Sequence, residues 1–227
     1  MYLLVKFKNG SYLLAIIQAR LDSKRFPGKS LFKIYGVPLI ERVYDRVNSS
    51  KEIKQTVISI PKDDKNKRLK IFLKKKKLKF YEGNNENVTL RMYKAAKKFK
   101  SNYFVRISGD SPMIDPLIID HAVKIHKKKK IDIITNTYKR SCPSGQSVEL
   151  IRVNTLKKIL KYKLTLEEKE HVTKYFYNNK KKFKIYNFYV KNIKLKNFKF
   201  SVDFKKDLKK LLKKFGKNEF ANFSLKK

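Results

Sequence analysis

Four cations, Arg20, Lys24, Arg25 and Lys29, fall within ten residues on a stretch that follows the apolar run Leu13–Ile17 and is stiffened by Pro27-Gly28. That density of positive charge suits a compact polyanion. A nucleoside triphosphate is one, and phosphoryl chemistry is helped mainly by positioning and by charge stabilisation. Gly28-Lys29-Ser30 ends like a P-loop, but Ser23 stands where the first glycine belongs. Gly36 and Pro38 also arrive too soon for the long helix that a P-loop needs. A lysine-rich surface loop is the plain alternative, set against two of the nine arginines falling here.

A second loaded stretch is Arg106-Ile-Ser-Gly-Asp-Ser-Pro. Glycine followed by a carboxylate at a strand end places Asp110 where magnesium on phosphates could sit, although Gly-Asp-Ser-Pro also makes an ordinary turn. Asp203, after the alternating Phe198–Val202, either supplies a second carboxylate or caps the last helix. His171, in an amphipathic pattern, is either a satisfied structural histidine or a substrate-side group. The lone Cys142 excludes an intramolecular disulfide and a multi-cysteine zinc site.

These residues need a scaffold, and the chain is long enough for one: 227 residues, 41% hydrophobic. The net charge of +39 suggests nucleic acid, but only nine of the 58 basic residues are arginine and the lysines spread over the whole chain. Abundant Asn, Ile, Phe and Tyr share A/T-rich codons with Lys, so genomic bias accounts for the excess, and no specific nucleic-acid partner is expected. Tyr12–Ile17 is too short for a leader, and no run of about 18 apolar residues exists. A cytoplasmic protein without a membrane span is expected.

Strand and helix patterns alternate. Leu13–Ile17, Thr56–Ile60, Leu78–Tyr81, Tyr103–Ile107 and Ile131–Ile134 read as strands. Helices are predicted from Pro38, over 64–76, over Val88–Phe99 and from Pro116. This predicts an α/β fold with a doubly wound, mostly parallel sheet. Beyond 137 come a short strand at Val148–Ile151, helices over 153–161 and 166–178, strands at Phe183–Val190 and Phe198–Val202, and a basic helix over Lys206–Phe215. The division expected is an extension (1–11), a nucleotide-binding core (12–136) and a small α+β part (137–227) that completes the same domain.

"AIIQARLDSKRFPGKSL…GVPLIERV", "RISGDSPMIDP" and "VDFKKDL" resemble the cytidylyltransferases that make CMP-sugars, including the CMP-sialic acid and CMP-ketodeoxyoctulosonate synthetases. "EGNNENVTLRMYKAAKKF", "NTYKRSCPSGQSVEL" and "EEKEHVTKYFYNNKKKFKI" are similar to the spore coat polysaccharide biosynthesis protein F branch. The resemblance runs over about residues 13–212. It implies a fold of the nucleotide-diphospho-sugar transferase type, often dimeric. The substrates implied are CTP and a 2-keto-3-deoxy sugar acid, with pyrophosphate released, for surface polysaccharide biosynthesis. Another nucleotide, a non-acidic sugar, or a basic nucleic-acid-binding protein on the same scaffold are the alternatives.

Carried over by position, the resemblance implies that Arg20, Ser23, Arg25 and Lys29 hold the triphosphate and that Arg91 and Arg106 lie near the nucleotide. Asp110 and Asp203 would hold Mg2+. Segment 136–149 with Ser144, and Glu170-His171, would face the sugar acid. The chain departs from the pattern at Phe204-Lys205-Lys206, where Thr-Pro-Glu is usual, at Ser144, where Asp is usual, and at Asn87, where an acidic residue is common.

Overall fold

The computed structural model describes residues 13–129, 131–190 and 195–225; the expected extension 1–11 lies outside them. In chain order the strands are β1 (Leu14–Gln18), β2 (Lys33–Ile34), β3 (Val37–Pro38), β4 (Gln55–Pro61), β5 (Phe80–Gly83), β6 (Tyr103–Ser108), β7 (Ile133–Thr135), β8 (Glu149–Arg152) and β9 (Ile185–Asn187). The helices are α1 (Leu39–Asn48), α2 (Lys67–Lys75), α3 (Val88–Lys98), α4 (Pro116–Lys128), α5 (Val153–Ile159), α6 (Leu166–Glu170), α7 (Lys174–Asn178), α8 (Lys205–Lys214) and α9 (Lys217–Ala221). Among the described residues no helix is long and apolar enough to cross a membrane.

Among the described residues seven strands form one sheet in the order β5-β4-β1-β6-β8-β7-β9, and only β8 runs antiparallel to its neighbours. The fold is α/β with a mostly parallel sheet, as expected. β1 shows why: Ala15 and Ile17 pack on one face, and Leu14 and Ile16 on the other. A strand buried on both faces must be apolar throughout, so it reads as a continuous run rather than an alternation. One face is covered by α1, α2, α4 and α8 through Val43, Leu69, Ile119 and Leu211. The other is covered by α3, α5 and α7 through Met92, Leu156 and Phe176.

Chain order along the sheet reverses between β1 and β6. Carboxyl ends of strands on either side of such a reversal leave a crevice between their loops. Here those ends are in register, Gln18 opposite both Ser59 and Ser108.

Three expectations need correction. Phe198–Val202 is not a strand. Its alternate side chains are used up in packing, with Phe200 against Phe215 and Phe223, and its backbone makes isolated bonds from Phe200 N–H to Ser144 O and from Val202 N–H to Asp110 O. The helix expected over 166–178 is broken into α6 and α7. The Thr89 hydroxyl donates to the carbonyls of Glu168 and Lys169 (2.9 and 3.3 Å), which takes acceptors that a continuing helix would use. Phe183–Val190 contributes only the short β9, which joins the sheet parallel to β7. Together β8 and β9 place two strands from beyond residue 137 inside the main sheet.

Candidate active site

Gly109 closes the crevice floor. A Cβ there would sit 2.6 Å from the Gln18 carbonyl oxygen, which instead accepts the Gly109 N–H at 2.8 Å. Only glycine lets the two strand ends approach so closely.

The basic loop is built rigidly. Leu21 and Phe26 are buried, Leu21 N–H donates to Asn66 Oδ1 (2.8 Å), and Gly28 N–H donates to Leu21 O (2.8 Å). The Ser30 hydroxyl donates to Arg20 O (3.0 Å). With its apolar residues inward, the loop leaves Arg20, Lys24 and Arg25 exposed and Ser23 half-buried. After Gly28 there is only a single 3-10 turn, Lys29–Leu31, so the P-loop reading fails on geometry as well.

Lys29 is the centre of the arrangement. Its ammonium donates to Asp110 Oδ2 (3.2 Å) and Val202 O (2.8 Å) and lies 4.0 Å from Asp203 Oδ1. Arg25 Nη2 donates to the same Asp203 oxygen at 2.6 Å, and Lys199 reaches Asp203 Oδ2 at 2.8 Å. Asp110 and Asp203, 93 positions apart in sequence, therefore meet around one lysine. Partial burial pushes the Asp203 carboxyl up, but Lys199, Lys29 and Arg25 outweigh it and hold the group below its ordinary value. Asp203 does not cap α8. Asp207 does, its Oδ2 accepting the N–H groups of Asp203 (3.0 Å) and Phe204 (2.9 Å).

The other candidates divide. Glu170 accepts from Arg20 at 3.1 Å, which brings the α6 end against the basic loop; both side chains are about half exposed, so the pair adds little stability. His171 is exposed at the break between α6 and α7. The Ser144 hydroxyl pairs with Ser201 (2.7 Å), two residues from Asp203. Next to it, Gly145 (φ +91°) has no room for a Cβ, which would lie 2.5 Å from the backbone of Phe200 and Ser201. Arg91 is not at the surface of the site. It is 1% exposed and donates to Asn84 O (2.5 Å) and Asn85 O (3.2 Å). Burial, with the nearby Arg20 charge adding, lowers its guanidinium to about 10. It supports the β5–α3 loop from below. Asn87 keeps the capping role at its position, its Oδ1 accepting Leu90 N–H at 2.8 Å.

Arg106 belongs to a network that the sequence reading did not find. It faces Glu149 across the β6–β8 ladder and donates to its Oε2, while Nη2 and Nε reach Gln18 Oε1 at 3.0 and 3.3 Å. Glu149 Oε1 also accepts from Thr173 (2.7 Å), Tyr177 (2.9 Å) and Thr137 (3.1 Å). Burial pushes the Glu149 carboxyl up, but the Arg106 guanidinium and these hydroxyls outweigh it and hold the group below its usual range. Tyr177 is pushed up, by burial first and by Glu149 second. The available signal was a carboxylate between Val148 and Leu150 in a chain with only 19 acidic residues.

This network makes a prediction about acid stability. A carboxyl held lower in the folded than in the unfolded state stabilises above its unfolded value and loses that contribution as pH falls through the folded one. Wild-type melting temperature should therefore fall as pH drops below about 4.5, the ordinary carboxyl value. Glu149→Gln should be less stable at neutral pH and lose less on acidification. Parallel stability curves for the two proteins would mean that Glu149 does not titrate in this way.

The fit to a divalent cation rests on donor type. Asp110 and Asp203 supply oxygen only, and magnesium takes one or two carboxylates together with phosphate oxygens and water. Among the described residues no group of three or more His, Cys, Asp or Glu is placed to hold a metal.

A doubly covered α/β sheet with cations and carboxylates converging at its topological switch point has the architecture of a ligand-binding α/β domain whose site suits a charged ligand. The cytidylyltransferase family profile matches residues 14–224, and the chain belongs to that family. Spore coat polysaccharide biosynthesis protein SpsF of Bacillus subtilis is 29% identical over 172 residues, 74% of this chain and 70% of that protein. The 3-deoxy-manno-octulosonate cytidylyltransferase of Geobacter sulfurreducens is 31% identical over 109 residues, 48% of this chain and 43% of the enzyme. In structure, a cytidylyltransferase from Leptospira borgpetersenii superposes with a TM-score of 0.84 at 23% identity, covering 93% of this chain and 92% of that one. A CMP:2-keto-3-deoxy-manno-octonic acid synthetase solved with CTP gives a TM-score of 0.69 at 17% identity, covering 88% and 97%. At these identities the two structures speak for the fold.

Proposed function

We propose that the protein transfers CMP from CTP to a 2-keto-3-deoxy sugar acid, releasing pyrophosphate, in the biosynthesis of a surface polysaccharide. The observation that carries this reading is the meeting of Arg25 and Lys29 with Asp110 and Asp203 at the β1–β6 crevice. Family membership and the names of the SpsF and octulosonate relatives support the nucleotide and the acceptor class.

In the reaction the anomeric hydroxyl oxygen bonds to the α-phosphorus, the bond to the pyrophosphate oxygen breaks, and the hydroxyl proton is released. Arg25 and Lys29 exchange their carboxylate partners for phosphate oxygens and stabilise the charge that gathers on them and on the leaving group. Asp110 and Asp203 would hold magnesium, which supplies further neutralisation of the phosphates. Glu170 and the 136–149 segment bound the acceptor side.

A thermal-shift comparison tests the nucleotide. CTP with magnesium should stabilise the protein more than UTP, GTP, ATP or a short oligonucleotide. Ligand at 100 times its dissociation constant adds about 2.7 kcal/mol. Equal shifts for all four triphosphates would remove the CTP assignment, and a dominant response to the oligonucleotide would favour a nucleic-acid partner instead.

A further inference from the structure

Phe204, one of the departures in the late motif, is a large apolar ring left 37% exposed at the edge of the site. Three cations surround it: the Arg25 guanidinium carbon 5.3 Å from the ring centroid, Lys206 Nζ at 5.4 Å and Lys199 Nζ at 5.7 Å. The ring's base is fixed, because Phe204 N–H donates to Asp207 Oδ2 at the start of α8.

Arg25 needs such a support. Its side chain is 58% exposed on a loop, and its ionic partner, Asp203, is shared with Lys29 and Lys199. A bound triphosphate would draw Arg25 away from Asp203. An aromatic face attracts the guanidinium whichever anion it holds, so it keeps the side chain in place through that exchange.

We propose that Phe204 is a positioning residue whose ring holds the Arg25 guanidinium over the crevice, ready for a polyphosphate. The inference rests on the reading that this site takes a triphosphate.

The test uses inorganic tripolyphosphate as a probe that needs neither base nor sugar, together with the KM for CTP. Both are measured at salt high enough to screen the diffuse field of the lysines. Phe204→Leu and Phe204→Met should each weaken tripolyphosphate binding and raise the KM about two- to fivefold, with kcat falling by no more than the same factor, as expected for a partly exposed cation–π contact. Phe204→Tyr should restore both. In an Arg25→Ala background the leucine change should add nothing, since the two residues act as a pair. Unchanged affinity in both aliphatic variants overturns the proposal. So does an equal loss in the Arg25→Ala background, which would assign the ring to Lys199, Lys206 or packing. A wild-type protein that does not bind tripolyphosphate overturns it as well. A wild-type protein that binds tripolyphosphate but releases no pyrophosphate from CTP sinks the functional reading alone.

Discussion

Replacing Lys29 with alanine is expected to lower CTP-dependent pyrophosphate release by about 10²–10³-fold, the range found when one preorganised donor to a developing charge is removed. Lys29 is the most enclosed cation of the site, 12% exposed, and among the described residues the only cation within 4.0 Å of both the Asp110 and the Asp203 carboxylates. Its loss removes a phosphate ligand and leaves the two carboxylates closer to mutual repulsion. The fold should survive, because Asp203 keeps Arg25 and Lys199, and Asp110 keeps the Ser111 hydroxyl. Alanine at Lys75 or Lys128, on exposed helix surfaces, serves as the control for charge alone. If those controls lose as much activity as Lys29→Ala, the positive charge works only as a diffuse field and the loop has no special role.

The second large effect is expected at the two aspartates. Asn at Asp110 or at Asp203 should reduce turnover by at least ~10²-fold. The double variant should be little worse than either single one, because groups that act as a unit are not additive. The structure sharpens this test. A helix cap is worth about 1 kcal/mol, but Asp207 caps α8 and Asp203 does not. Asp203→Asn should therefore leave the α8 cap intact while cutting turnover. A variant with near-normal turnover would take Asp203 out of the site, and strictly additive losses would separate the two carboxylates into different roles.

Much of the frame was legible because it depends on local rules. β1, β4 and β6 are apolar runs closed by polar or breaking residues, and Pro116 opens α4 behind the Asp115 cap, whose Oδ1 accepts Leu117 N–H. The pre-cluster of Arg25 and Lys29 was visible since both lie on one short loop. What misled the reading was also local. Phe198, Phe200 and Val202 alternate like a strand, yet their period serves a cluster of aromatic rings around Phe215. Residues 166–178 carry a helical pattern, yet the hydroxyl of Thr89, some 80 positions away, takes the Glu168 and Lys169 carbonyls that a continuing helix would use.

By itself, then, the amino-acid order determined which segments are buried on both faces, where they stop, and which loop concentrates cationic donors. These follow from hydrophobic period, breakers and charge density, none of which needs a distant partner. Tertiary structure alone decided that Lys29 stands between Asp110 and Asp203, that Arg91 is buried beneath the β5–α3 loop, and that Arg106 answers Glu149 across an antiparallel strand inserted into a parallel sheet. The Lys29 and Arg106 pairings join residues 43 or more positions apart. Strand order in the sheet creates them, and no periodicity along the chain records strand order.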